Sequence, residues 1–197
     1  MIGLLLSGGM DSISIAWWKR PDVAITVDYG QSPAKAEITA SAAACQTMGI
    51  PHEVVRADCS SQGSGDMAGT EPVAAAPVPE WWPFRNQLIL TLAGMAAVRL
   101  GVTHLMVGAL ATDGVHADGR PEFFQSISKL MSQQEGGITV SAPAIAMTAA
   151  ELVRVSGIPR EVLAWAHSCH TGNLACGGCR GCVKHYKTLE ALGCDPY

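Results

Sequence analysis

Five short apolar-rich runs punctuate the chain, at 3–6, 23–27, 52–55, 104–107 and 138–141, with helical spacing of apolar residues between them. Runs this short and this continuous mark strands buried on both faces, and strands alternating with helices build a covered parallel sheet. The expected fold class is α/β, a Rossmann-like parallel sheet with helices on both faces. Ligands bind such sheets beyond the carboxyl ends of the strands. Ser7, Asp28, Gly108 and the loop from Ala109 fall at those ends.

One stretch breaks the rhythm. Residues 57–83 are rich in Ser, Gly, Ala and Pro and exceed an ordinary connection, which predicts a mobile lid or a partly disordered excursion. At its end, Trp81-Trp82-Pro83-Phe84 offers either a wall for a flat heterocycle or aromatic anchors for the loop or a subunit contact.

A chain of 197 residues suits one α/β domain. A net charge of −4 with 15% charged residues supplies no basic surface for a nucleic-acid backbone, so polymeric DNA or RNA is not an expected partner. The longest apolar stretch, 88–98, is interrupted by Thr91 and Gly94 and falls short of the ~20 residues a membrane span needs. With no secretory pattern at Met1, a cytoplasmic location is expected.

Candidate chemistry begins at Ser7-Gly8-Gly9-Met10-Asp11-Ser12, between the first strand and a helix expected over 12–19. A glycine turn leading into a helix N-terminus gathers backbone N–H groups that hold an anion. The spacing is neither the Walker loop nor the dinucleotide fingerprint. Asp11 beside such an anion cradle points to a bound cation.

Four of the seven cysteines, Cys169, Cys176, Cys179 and Cys182, supply the thiolates of a tetrahedral zinc and leave no coordination position open. A structural zinc that staples the C-terminal segment is expected, with two disulfides or a redox Cys-x-x-Cys as the alternative. His170 is read as standing behind the ligands or in solvent, and Cys45, Cys59 and Cys194 as plain thiols. Lys184 and Lys187 are cationic candidates for a phosphate across a subunit interface.

These residues carry a resemblance. The SGGMDS motif, followed by Val27-Asp28-Tyr29-Gly30-Gln31, resembles the PP-loop of the N-type ATP pyrophosphatases. Arg85-Asn86, Val107-Gly108-Ala109, residues 118–123 and the cysteine cluster narrow the resemblance to the 7-cyano-7-deazaguanine synthases of queuosine-precursor synthesis. It implies an adenine nucleotide alpha hydrolase-like domain over 1–165 and a zinc-binding segment over 166–197. It also implies ATP with Mg2+ at Ser7, Gly8, Gly9, Met10, Asp11 and Ser12, where Ser7, Asp11 and Ser12 stand at the chemistry. Asp28, Tyr29, Gln31, Arg85, Asn86 and Gly108 would shape the nucleotide pocket, and Asp113, Asp118 and Arg120 would hold the deazaguanine.

The reaction implied is adenylation of 7-carboxy-7-deazaguanine, amide formation with ammonia, and conversion of the amide to a nitrile with a second ATP. A homodimer is the family's usual assembly. Two alternatives share the nucleotide site: a paralogue passing the acyl group to a partner-protein amine in antiphage defence, and a non-catalytic nucleotide-binding subunit. The chain departs from the family at Ala149, where a phosphate-contacting lysine is usual, and in the loop 112–119.

Overall fold

The computed structural model describes residues 1–194. Five parallel strands, β1 (Ile2–Leu5), β2 (Val23–Asp28), β3 (His52–Arg56), β4 (His104–Met106) and β5 (Thr139–Ser141), form one sheet in the order β3-β2-β1-β4-β5. Each expected strand is present within two residues of its expected ends. The chain runs outward from β1 to β3 and then returns to place β4 on the other side of β1. Strand order therefore reverses between β1 and β4, the point where doubly wound sheets open a crevice.

Alternate side chains of each strand enter two separate cores. Leu4, Leu6, Ala24 and Met106 face one side, where α1 (Met10–Lys19), α2 (Ala34–Met48), α5 (Ala149–Ser156), α6 (Arg160–Leu163) and α7 (Arg180–Ala191) pack. Leu5, Ile25, Val27, Leu105 and Val140 face the other, against α3 (Arg85–Leu100) and α4 (Pro121–Ser132). This two-sided burial explains the unbroken apolar runs. Leu189 of α7 belongs to the first core, so the described part of the cysteine-bearing segment shares the core of the sheet domain.

Local signals set several helix starts. Thr148 and Glu151 form a capping box at α5, and Pro121 opens α4 where its missing N–H has no partner to lose. Helix α1 begins at Met10, two residues before the expected start, with Gly9 in the extended N-cap conformation.

The segment 57–83 is a packed strap rather than a disordered excursion. It carries two short 3-10 turns, Ser60–Gln62 and Asp66–Ala68, and buries Ser64, Met67, Glu80 and Trp82. Trp82 meets Tyr29 edge to face at 4.9 Å, so the anchoring role applies to it. No described helix is long and apolar enough to cross a membrane.

Candidate active site

The loop after β1 is shaped by Gly8, whose φ of 73° lies in the left-handed region. A Cβ added there would come 2.5 Å from the Glu37 carbonyl oxygen, so the loop lies directly against the first turn of α2. Gly9 caps α1 without a side-chain acceptor, leaving the first-turn N–H groups for a ligand. Ser7 and Ser12 face each other across this cradle, Oγ to Oγ at 3.2 Å.

Beyond the loop lies a cleft of about 260 Å³, joined to a smaller chamber of about 150 Å³. Ser7, Ser12, Glu37, Gly108, His170 and Lys184 line both. Gly9, Met10 and Asp11 line the smaller chamber; Tyr29, Arg85, Asn86 and Asp113 line the larger. A Cβ on Gly108 would stand 3.4 Å from Ser12, which shows how closely the two loops at the strand-order reversal approach.

Helix α7 enters this site. Lys184 Nζ donates to Asp11 Oδ2 at 2.8 Å and to Asp113 Oδ1 at 3.4 Å, tying the glycine loop to the loop after β4. Burial disfavours the Lys184 charge, but Asp11 and Asp113 more than offset it and raise its pKa. One turn earlier, Arg180 Nη1 donates to buried Glu80 at 2.7 Å and to His116 Nε2 at 3.2 Å, fastening the strap 57–83 to the same loop. Burial, helped by Arg85 and Arg180, lowers the His116 pKa and keeps its imidazole neutral. His170 is held neutral in the same way, mainly by burial, with its pKa down at about 4, and its buried Nδ1 has no partner in the described structure.

Other expected residues lie outside the cleft lining. Gln31 is a buried brace, receiving the Tyr29 N–H and donating to Val27 O and Glu37. Asp28 accepts from Gly30 N and stands 3.9 Å from Arg56. Asp118 caps α3, its carboxylate accepting from Asn86 N at 3.3 Å and its carbonyl from Asn86 Nδ2 at 2.8 Å. Exposed Arg120 donates to Gly114 O at 3.0 Å. Ala149 is buried in the core at the start of α5. The lysine beside the glycine loop is Lys184 instead, and it comes from the same chain rather than across a subunit interface.

The sulfurs of Cys169, Cys176, Cys179 and Cys182 all lie within 4.8 Å of one another. Backbone N–H groups of His170 and Cys179 donate to Cys179 Sγ and Cys176 Sγ at 3.3 Å, the arrangement that supports ligating thiolates. Burial pushes the Cys182 thiol up to about 12, so four thiolates coexist here only around a cation. The cluster can hold a metal ion.

Comparison with known proteins agrees with this geometry. A sequence model described as "Queuosine biosynthesis protein QueC" matches residues 2–193. The chain belongs to the QueC family. It is 32% identical to a 7-cyano-7-deazaguanine synthase of Desulforudis audaxviator, covering 96% of both chains. It is 31% identical to one from Koribacter versatilis, covering 98% of this chain and 90% of that one. Membership assigns the chain to queuosine-precursor biosynthesis. A solved U34-tRNA thiolase NcsA from Methanococcus maripaludis, described with its [4Fe-4S] cluster, shares the fold at a TM-score of 0.50. That match is 16% identical and covers 97% of this chain and 65% of the thiolase chain.

Sequence reasoning overlooked Glu37 and Glu80 in the site and did not foresee α7 crossing it. Arg180 and Lys184 flank Cys182 one helical turn apart, an i, i+4 spacing that puts both cations on one face.

Proposed function

We propose that the cleft binds ATP and 7-carboxy-7-deazaguanine and activates the carboxylate as an acyl-adenylate, which ammonia converts toward 7-cyano-7-deazaguanine. The observation that carries this reading is the meeting of the glycine loop, Lys184 and two chambers where the strand order reverses. The triphosphate would lie on the N–H groups at Gly9 to Ser12, with the Ser7 and Ser12 hydroxyls beside it.

Asp11 and Asp113 offer carboxylate oxygens that fit a hard cation, and Mg2+ carried with ATP would neutralise developing phosphate charge. Lys184 exchanges its carboxylate partners for phosphate oxygens when nucleotide arrives. The deazaguanine would occupy the larger chamber against Asn86, Asp113 and His170. The carboxylate oxygen attacks the α-phosphorus and pyrophosphate leaves. No protein nucleophile is required, since positioning and charge stabilisation suffice for such transfers.

The cysteine cluster holds one zinc in this reading, supported by sulfur spacings suited to four bonds of about 2.3 Å to a single ion. Its role is to fix the start of α7 and thereby Arg180 and Lys184. The test is mass spectrometry of the products with Mg-ATP, 7-carboxy-7-deazaguanine and ammonium. A nitrile formed only when all three are present supports the reading; absence of both nitrile and amide rejects it.

A further inference from the structure

Glu37 stands where the two chambers meet, and the steps above leave it unused. Its Oε2 accepts from Gln31 Nε2 at 2.7 Å. Gln31 is itself buried and fixed by Tyr29 N at 2.9 Å and Val27 O at 3.2 Å, so the carboxyl is held rigidly. A fixed carboxylate beside a phosphate cradle repels the triphosphate, an electrostatic cost without return unless the group serves the chemistry.

The other carboxylates of the site have cationic partners. Asp11 and Asp113 are engaged by Lys184, and Glu80 by Arg180. Among the described residues no ion pair engages Glu37. Burial pushes its pKa up to about 7, opposed by the Gln31 hydrogen bond and the Arg85 charge and assisted by the Asp28 charge. Such a carboxyl exchanges protons readily at neutral pH. The proposed reaction has a matching need, because ammonium has no lone pair until it loses a proton.

We infer that Glu37 binds ammonium where the chambers join and takes one proton from it, freeing ammonia to attack the activated carboxyl carbon. The inference rests on the carboxylate activation proposed above. An N–H bond breaks toward the Glu37 carboxylate, and the freed electron pair forms the C–N bond. The C–O bond to AMP then breaks and AMP leaves with that pair. The nitrogen sheds its excess proton to water, and Glu37 later releases its own to solvent.

The test compares the full-length wild type with Glu37→Gln and Glu37→Asp, following pyrophosphate release and acyl transfer to ammonium or hydroxylamine. Hydroxylamine is largely unprotonated at neutral pH and needs no base. Glu37→Gln is expected to slow amide formation from ammonium about 100-fold, while hydroxylamine still yields the hydroxamate at close to the wild-type rate. Glu37→Asp is expected to show a smaller loss confined to ammonium, which serves if the glutamine variant misfolds.

An unchanged ammonium rate in Glu37→Gln overturns the inference. Equal loss with both nucleophiles, or loss of pyrophosphate release in a folded variant, overturns it as well by assigning Glu37 to structure or nucleotide. A wild type that releases no pyrophosphate with the carboxylate rejects the proposed function itself, and the inference falls with it.

Discussion

Lys184 and Asp11 lie 173 positions apart in the chain and meet at 2.8 Å beside the glycine loop. The pair joins the first loop of the sheet to the helix that carries Cys182 of the cysteine cluster. A point charge at phosphate contributes on the scale of a charge-assisted hydrogen bond. Lys184→Ala is therefore expected to lower ATP-dependent pyrophosphate release about 10- to 100-fold. Initial rates over a range of ATP concentrations check this. A variant with unchanged kinetics would remove Lys184 from the phosphate site.

The cysteine cluster couples metal content to activity through the same helix. Elemental analysis is expected to find one zinc per chain, without the broad visible absorption of an iron–sulfur cluster. Chelation should abolish pyrophosphate release as zinc leaves, because Arg180 and Lys184 lose their support. Full activity in a verified metal-free protein would contradict the coupling.

Arg180 fastens the strap 57–83 through Glu80, which is 4% exposed. Truncating one partner of a buried charge pair leaves the other uncompensated. Arg180→Ala should accordingly loosen the strap and speed proteolytic cleavage within 57–79, while cleavage elsewhere stays slow. Limited proteolysis followed by peptide mass mapping reads this directly.

Glu37 supplies a pH-dependent prediction. Its folded pKa of about 7 lies above the ordinary 4.5, so the folded state holds a proton that the unfolded chain releases between those values. Stability falls as pH rises through that window. Glu37→Gln keeps the acceptor for Gln31 and removes the ionisation, so its Tm should exceed the wild type's at pH 8. The difference should shrink toward pH 5. Melting curves at the two pH values decide it, and equal differences would contradict the burial account.

Much of this was legible from the residues. The unbroken runs such as Leu4-Leu5-Leu6 reveal strands covered on both faces, and Ser7 to Ser12 with the four cysteines mark two candidate sites. What escaped was how the two sites meet, because one lies near the start of the chain and the other near its end. The packing of the strap 57–83 is not legible in the sequence because its small residues lack periodicity, although Trp82 and Glu80 pin it by tertiary contacts. Gln31 and Asp118 hold polar motif positions, but their hydrogen bonds go to Tyr29, Val27 and Glu37 and to Asn86. Ala149 is a core residue here, and the cation beside the loop arrives from α7.

The central claim is that a substrate carboxylate oxygen attacks the α-phosphorus of ATP in this cleft. Incubating the protein with Mg-ATP, 7-carboxy-7-deazaguanine bearing an 18O-labelled carboxylate, and hydroxylamine, which stops the sequence at the hydroxamate, tests it most directly. The account predicts that the label appears in AMP, because the carboxylate oxygen remains on phosphorus when nitrogen displaces it from carbon. Unlabelled AMP, or label found in inorganic phosphate instead, would contradict the account.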